Sequence, residues 1–197
     1  HRVTVQGKTY VLEEPFYVFA TQNPIELEGT YPLPEAQLDR FMFEIIIDHL
    51  PEDEELSVVR ETTGVEKGNP NSVVSREDII AYQQLVRRVP ISEPVARYAL
   101  SIVRAPRPES NGNREFIKKW VAYGASVRAA QYMVLGGKAR ALTRGRLAVD
   151  FEDIRALAHP VLRHRILANF QAQSEGITTD KVVDQLLQSV PVPKSGM

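Results

Sequence analysis

From Pro51 onward the chain is punctuated by helix starts, and this limits the available folds more than any other feature of the sequence. Ser75-Arg76-Glu77-Asp78 sets an N-capping hydroxyl before an acidic first turn, and Ile79, Tyr82, Leu85, Val86 and Val89 follow at helical spacing. Ser92-Glu93-Pro94 opens a second helix, with Val95, Tyr98, Ala99, Ile102 and Val103 on its apolar side. Ser126 caps a long helix predicted to reach Thr143, and Asp150-Phe151-Glu152-Asp153 caps another. Pro160 should interrupt or kink that one, because proline removes a backbone donor and clashes with the preceding turn. Residues 52–61 read as a helix ending at Gly64, and Thr178–Ser189 as a last amphipathic helix before Pro191 and Pro193. The stretches 66–72 and 105–113, rich in Gly, Asn and Pro, read as loops.

Before Pro51 the texture differs. Residues 3–12 hold two short β-prone stretches around Gln6-Gly7-Lys8, which predicts a β-hairpin broken by Glu13-Glu14-Pro15. Phe16-Tyr17-Val18-Phe19-Ala20 and Phe41-Met42-Phe43-Glu44-Ile45-Ile46-Ile47 are almost wholly apolar, as strands covered on both faces would be. With a short helix predicted at 35–39 between them, they suggest a parallel βαβ unit. The expected class is therefore mainly α with a small β portion, the remnant of an α/β core followed by a helical domain. The division is placed at 1–50, 51–190 and a tail at 191–197. A start at His1 running directly into a strand-like alternation reads as that of an excised fragment.

Bulk properties exclude several functions. With 43% hydrophobic and 25% charged residues the chain has the balance of a soluble globular protein. Twenty-four Lys and Arg against 25 Asp and Glu leave a formal net charge of −1, without the basic excess of a general nucleic-acid binder. The absence of cysteine excludes disulfides, iron–sulfur clusters and thiolate zinc sites. No apolar run approaches the about 18 residues of a membrane span, and a cytoplasmic setting is the natural expectation.

Residues 16–43, centred on Ala20-Thr21-Gln22-Asn23-Pro24 and Leu38-Asp39-Arg40-Phe41, closely resemble the MoxR family of AAA+ ATPases. Gly124-Ala125-Ser126-Val127-Arg128-Ala129 and the segment 156–166, with its Arg163-His164-Arg165, extend the resemblance in the family's order. It implies an AAA+ core followed by a lid, ATP and Mg2+ as cofactors of the parent protein, and assembly into a hexameric ring. It also implies chaperone-like work on client proteins, among them proteins with von Willebrand factor A domains. Three residues acquire roles through it: Asn23 as sensor 1, Arg40 as an arginine finger acting on the neighbouring subunit's ATP, and Arg128 as sensor 2.

The residues can also be read without the family. An amide at the C-terminal end of a buried strand could orient an attacking water or hold a phosphate oxygen, yet Asn23-Pro24 also simply makes a turn. Arg40 offers a permanent, planar charge to a transferring phosphoryl group, or it pairs with Asp39 or Glu35. Arg128 lies in the first turn of its helix, where the helix dipole disfavours a cation, so an anionic phosphate is one explanation and a solvated arginine the other.

Other motifs carry less. Gly7-Lys8-Thr9 mimics the end of a GxxxxGK[ST] phosphate loop, but the first glycine position is Arg2 and the segment alternates like a hairpin. Gly136-Gly137-Lys138 lies within a helical pattern, where a kink or close helix approach is the available explanation. His159 and His164 are in the wrong register to share a metal on one helix face. The basic run Lys138, Arg140, Arg144, Arg146, Arg155, Arg163 and Arg165 reads by default as a solvated face. Neither an intact phosphate-binding loop nor a strand ending in Asp-Glu occurs, so these 197 residues alone are expected to be catalytically silent. Competing readings are a non-catalytic helical interaction module, and a chelatase-like or helicase-like AAA+ branch.

Overall fold

The structure, a computed structural model, describes residues 2–22, 33–64, 71–108 and 115–193. Asn23 lies outside the described residues, as does half of the stretch joining the two apolar runs. The chain divides into two compact units, residues 1–18 with 45–82, and residues 19–44 with 83–197.

The first unit begins with an antiparallel hairpin of β1 (Arg2–Val5) and β2 (Lys8–Val11), in register Val5↔Lys8 through Arg2↔Val11. Gln6 and Gly7 both have positive φ, 51° and 78°, the backbone a two-residue hairpin turn needs to match strand twist. Thr4 and Thr9 share a cross-strand hydroxyl hydrogen bond of 3.0 Å. The unit continues through α2 (Glu52–Thr63), whose first turn carries Glu52, Asp53, Glu54 and Glu55 against the helix dipole. The start of α3 (Arg76–Arg88) is closed by a capping box in which Ser75 N–H donates to Asp78 Oδ2 (3.0 Å) and Asp78 N–H to Ser75 Oγ (3.1 Å).

The second unit contains α1 (Glu35–Leu38), the end of α3 and all that follows. The helix α4 (Glu93–Arg104) buries Val95, Tyr98, Ala99, Ile102 and Val103, the five residues its periodicity assigns to the core. Next come α5 (Glu115–Trp120), β3 (Val121–Tyr123), α6 (Val127–Thr143), α7 (Phe151–Ala156) and α8 (Ala158–Leu162). The series ends with β4 (Leu167–Ala168), α9 (Phe170–Ser174) and α10 (Thr179–Ser189). Tyr98, Ile102, Ile117, Met133, Ile154, Leu162 and Leu186 are the large side chains at the centre, and the Tyr98 and Phe151 rings meet edge-on at 5.4 Å. Each such residue contributes about 1.5–3 kcal/mol when fully buried.

Four differences from the expectations have physical causes. The apolar runs 16–20 and 41–47 are not strands, and no parallel sheet occurs among the described residues. Phe19 is 92% exposed and Ile47 89%; an apolar run becomes a strand only when a neighbouring strand completes its hydrogen-bond ladder. The face predicted for α3 is also overcalled, since Tyr82 and Leu85 are exposed. Proline does break the helix after Asp150, but the break falls at Leu157, because Pro160 cannot donate to the preceding turn and instead sits inside the new helix α8. Finally, α5, α9 and the small β3–β4 sheet are additions, with Asn169 joining them: its N–H donates to Trp120 O (2.9 Å) and its Nδ2 to Lys119 O (2.8 Å), while its Oδ1 caps α9.

Gly136 and Gly137 lie buried in α6 because neighbours leave no room for a Cβ. At Gly136 it would come to 2.8 Å from Leu157 Cδ1 and 3.1 Å from Phe43 Cζ; at Gly137, to 3.1 Å from Val149 Cγ1. The pair is a close-packing site within a straight run of helix.

Candidate functional site

The segment from Asp39 to Glu44 leaves α1 without entering any sheet, and its carbonyls are satisfied by side chains instead. Arg165, whose side chain is 1% exposed, supplies most of them. Its Nη2 donates to Asp39 O (2.8 Å) and to Phe41 O, and its Nη1 to Met42 O (3.3 Å) and to Val161 O. Its face lies 5.1 Å from the centre of the Tyr132 ring, a cation–π contact. Tyr132 Oη donates to Arg40 O (2.9 Å), His164 Nε2 lies 3.2 Å from Phe41 O, and Arg163 Nη1 donates to Glu44 O (3.4 Å). One backbone bond completes the set, Glu44 N–H to Pro160 O at 2.8 Å. Arg163-His164-Arg165 is thus a clamp that fixes an irregular segment by reading its backbone, which explains why those residues stand together.

Asp39, the C-cap of α1, is the electrostatic centre. Arg165 Nε donates to its Oδ1 (3.0 Å), Ser126 Oγ reaches both oxygens (3.1 and 3.2 Å), and Arg128 Nη1 donates to Oδ2. Burial pushes the Asp39 carboxyl up, but hydrogen bonds from Arg165, Ser126 and Arg128 outweigh it and hold the group below the usual carboxylate range. Ser126 does double duty, because its Oγ also accepts from Arg128 N–H (3.3 Å) as the N-cap of α6. The approach to this cap is fixed by Gly124: a Cβ there would come to 2.8 Å from Pro106 O and 2.9 Å from Arg107 N. Arg107 Nε donates to Ala125 O (3.1 Å) across the same junction.

Of the three predicted residues, Arg40 and Arg128 are therefore placed on either side of Asp39, by sequence and by ion pair respectively. Arg40 is exposed, and among the described residues its guanidinium has no hydrogen-bond or ion-pair partner; the alternative pairing with Asp39 or Glu35 does not form. Arg128 is not a free surface arginine, since it is bound to Asp39 with its side chain 42% exposed.

Except for the exposed Arg144, the basic run is not a solvated face. Arg140 Nη1 and both terminal nitrogens of Arg146 bind Asp153, which is fully buried at the third position of α7. Arg155 Nη1 donates to Tyr98 Oη (2.9 Å) and Leu187 O (3.0 Å), and Arg163 Nε to Asp180 Oδ1 (3.1 Å). Carboxylates distant in sequence turn these cations inward, and spacing along the chain carries no sign of it. Among the described residues no cluster of three or more His, Cys, Asp or Glu could hold a metal. His159 instead lies 2.9 Å from Asp184, and His164 is buried with Nδ1 unbonded, 3.7 Å from Glu44 Oε2. Burial, with Arg165 adding to it, pushes His164 down to about 4, so the ring is neutral at ordinary pH.

The family model for the ATPase family associated with various cellular activities (AAA) matches residues 1–43, and that for the AAA lid domain matches residues 114–186. The Chaperone MoxR1 of Mycobacterium tuberculosis is 36% identical over 193 residues, which are 98% of this chain and 51% of that protein. The uncharacterized protein YeaC of Bacillus subtilis is 37% identical over 195 residues, 97% of this chain and 57% of that protein. A crystal structure of a “putative ATPase” from Cytophaga hutchinsonii superimposes with a TM-score of 0.89 at 39% identity, covering 98% of this chain and 59% of that one. The chain thus spans about half the length of the curated relatives it matches. With a core segment and a lid both matched, and relatives of the same kind aligned along nearly its whole length, the chain belongs to the MoxR family of AAA+ ATPases, of which it carries the end of the core and the helical lid.

Proposed function

We propose that these residues form the nucleotide-responding part of a ring-forming ATPase that converts ATP and water to ADP and phosphate. The observation that carries this reading is Arg40: a guanidinium without a partner among the described residues, presented from a backbone held by Tyr132 and Arg165. Rigid presentation of a permanent planar charge is what stabilising a transferring phosphoryl group in a neighbouring subunit requires. Arg128 serves as sensor 2 at the start of α6, and Asn23 as sensor 1. Residues 1–50 supply the core elements, 51–190 the lid, and 191–197 a tail.

ATP and Mg2+ need a phosphate-binding loop and an acidic strand end, which the 197 residues do not contain. We place them in the part of the protein to which the relatives' additional length corresponds. Alone, the chain binds ATP no better than weakly and does not turn it over; a micromolar affinity in a calorimetric titration would refute this. The work of the assembled ring is chaperone-like remodelling of client proteins, von Willebrand factor A domain proteins among them, in the cytoplasm. One relative is named a chaperone, and among the described residues no helix is long and apolar enough to cross a membrane. The test is Arg40→Ala in the assembled parent, which should lower turnover by about 10³ or more while leaving nucleotide binding intact. Full activity in that variant removes Arg40 from the finger role.

A further inference from the structure

The Asp39 carboxylate receives donors of two kinds. Arg165 is buried and tied to four backbone carbonyls besides, so it cannot leave without stripping the 39–42 segment of its hydrogen bonds. Arg128 is held through the single contact of Nη1 to Oδ2, with its side chain 42% exposed. If Arg128 departs, Arg165 Nε and Ser126 Oγ remain on the carboxylate, which is then neither bare nor unpaired. The departure is inexpensive because a partly exposed ion pair contributes little and water replaces part of it. Asp39 therefore stands where an incoming anion would have to compete for Arg128.

We propose that Asp39 is a positioning residue that acts as a latch: its carboxylate occupies Arg128 until a phosphate anion displaces it, and so sets the affinity of Arg128 for phosphate. The proposal rests on the reading of Arg128 as a phosphate contact. Because Arg40 follows Asp39 directly, and its carbonyl is fixed by Tyr132, the exchange takes place beside the residue offered to the neighbouring subunit.

The test uses the assembled parent with inorganic tripolyphosphate as the probe, comparing wild type, Asp39→Asn, Arg128→Ala and the double variant by calorimetry. Asparagine retains one acceptor oxygen for Arg165, removes the charge and puts an NH2 donor in place of the second oxygen. Asp39→Asn should tighten tripolyphosphate binding by up to about fivefold, the range a partly exposed ion pair supports. Arg128→Ala should weaken binding, and the double variant should match Arg128→Ala. If Arg128→Ala weakens binding but Asp39→Asn does not tighten it, the latch is wrong and the phosphate reading of Arg128 stands. If Arg128→Ala changes nothing, that reading falls and the latch with it. Should Asp39→Asn fail to fold, tripolyphosphate is titrated into the wild-type parent by NMR. The Asp39 carboxyl carbon and the Arg128 Nε–H should shift together with one midpoint; Arg128 moving alone overturns the latch, and neither moving overturns the reading beneath it.

Discussion

Asp153→Asn removes one charge from the helical body and changes almost nothing in shape. Asp153 has no exposed side-chain surface and accepts from Arg140 Nη1 (2.6 Å), Arg146 Nη1 (2.8 Å) and Nη2, and the Asp150 N–H (2.9 Å). Burial pushes its carboxyl up, yet the Arg146, Asp150 and Arg140 hydrogen bonds prevail and bring it from 3.8 down to about 2. A folded value below the unfolded one means that the fold prefers the carboxylate, so its contribution is complete above pH 4–5 and is lost as pH falls toward 2. The difference is worth about 2 kcal/mol at pH 7 and, by the same linkage, about 1 kcal/mol at pH 3. Removing one partner of a buried pair usually costs about 3–5 kcal/mol, and the lower figure suits this site because Arg140 and Arg146 remain 22% and 37% exposed to water. Urea unfolding of both proteins at pH 7 and pH 3, followed by circular dichroism, measures it. The reasoning fails if the variant is within about 0.5 kcal/mol of wild type at pH 7. It fails equally if the gap is the same at both pH values, since the loss would then be one of packing.

Three further substitutions test the neighbouring structure. Gly124→Ala puts a methyl group against the backbone of Pro106 and Arg107, which cannot turn aside as a side chain could; a loss of about 2–3 kcal/mol is expected from denaturant midpoints. Arg165→Lys keeps the charge but cannot reach four carbonyls and a carboxylate at once, and should cost about 2–3 kcal/mol by the same measurement. His164 titrates at about 4 in the fold against 6.5 unfolded, so the unfolded chain takes up the proton first and stability falls as pH drops through that interval. Wild type should lose about 2 kcal/mol between pH 7 and pH 5 from this group, and His164→Gln, which still donates to Phe41 O, should flatten that dependence.

Where the signal is local, the sequence is legible. The caps at Ser75, Ser126 and Thr178 and the α4 face are set by neighbours within a turn or two, and each appears where residue chemistry puts it. Gln6-Gly7 shows its hairpin for the same reason. Long-range pairing is invisible at this level. Val121–Tyr123 is too short to show alternation, and it is a strand only because Leu167–Ala168, far along the chain, returns to it. The runs 16–20 and 41–47 err in the opposite direction: apolar composition records what would suit a covered strand, whereas a strand exists only where a partner completes the ladder.

The same distinction applies to the arginines. Spacing presents Arg40, Arg128, Arg140, Arg146, Arg163 and Arg165 as equivalent cations, and their fates are set by carboxylates that no periodicity connects to them. Asp153 takes two, Asp180 one, and Asp39 two more. Arg165 is consumed by structure, since its donors are spent on backbone carbonyls that would otherwise be left unpaired. Among the described residues Arg40 receives no carboxylate although Asp39 is its immediate neighbour, because Arg165 and Arg128 have already claimed that group. The carboxylate that could have neutralised Arg40 is thus held by Arg165 and Arg128 instead, and the Arg40 side chain is exposed. Arg128, held to the same group by one contact, stands between the two conditions, which is the position a residue needs if it is to be retained without ligand and released with it.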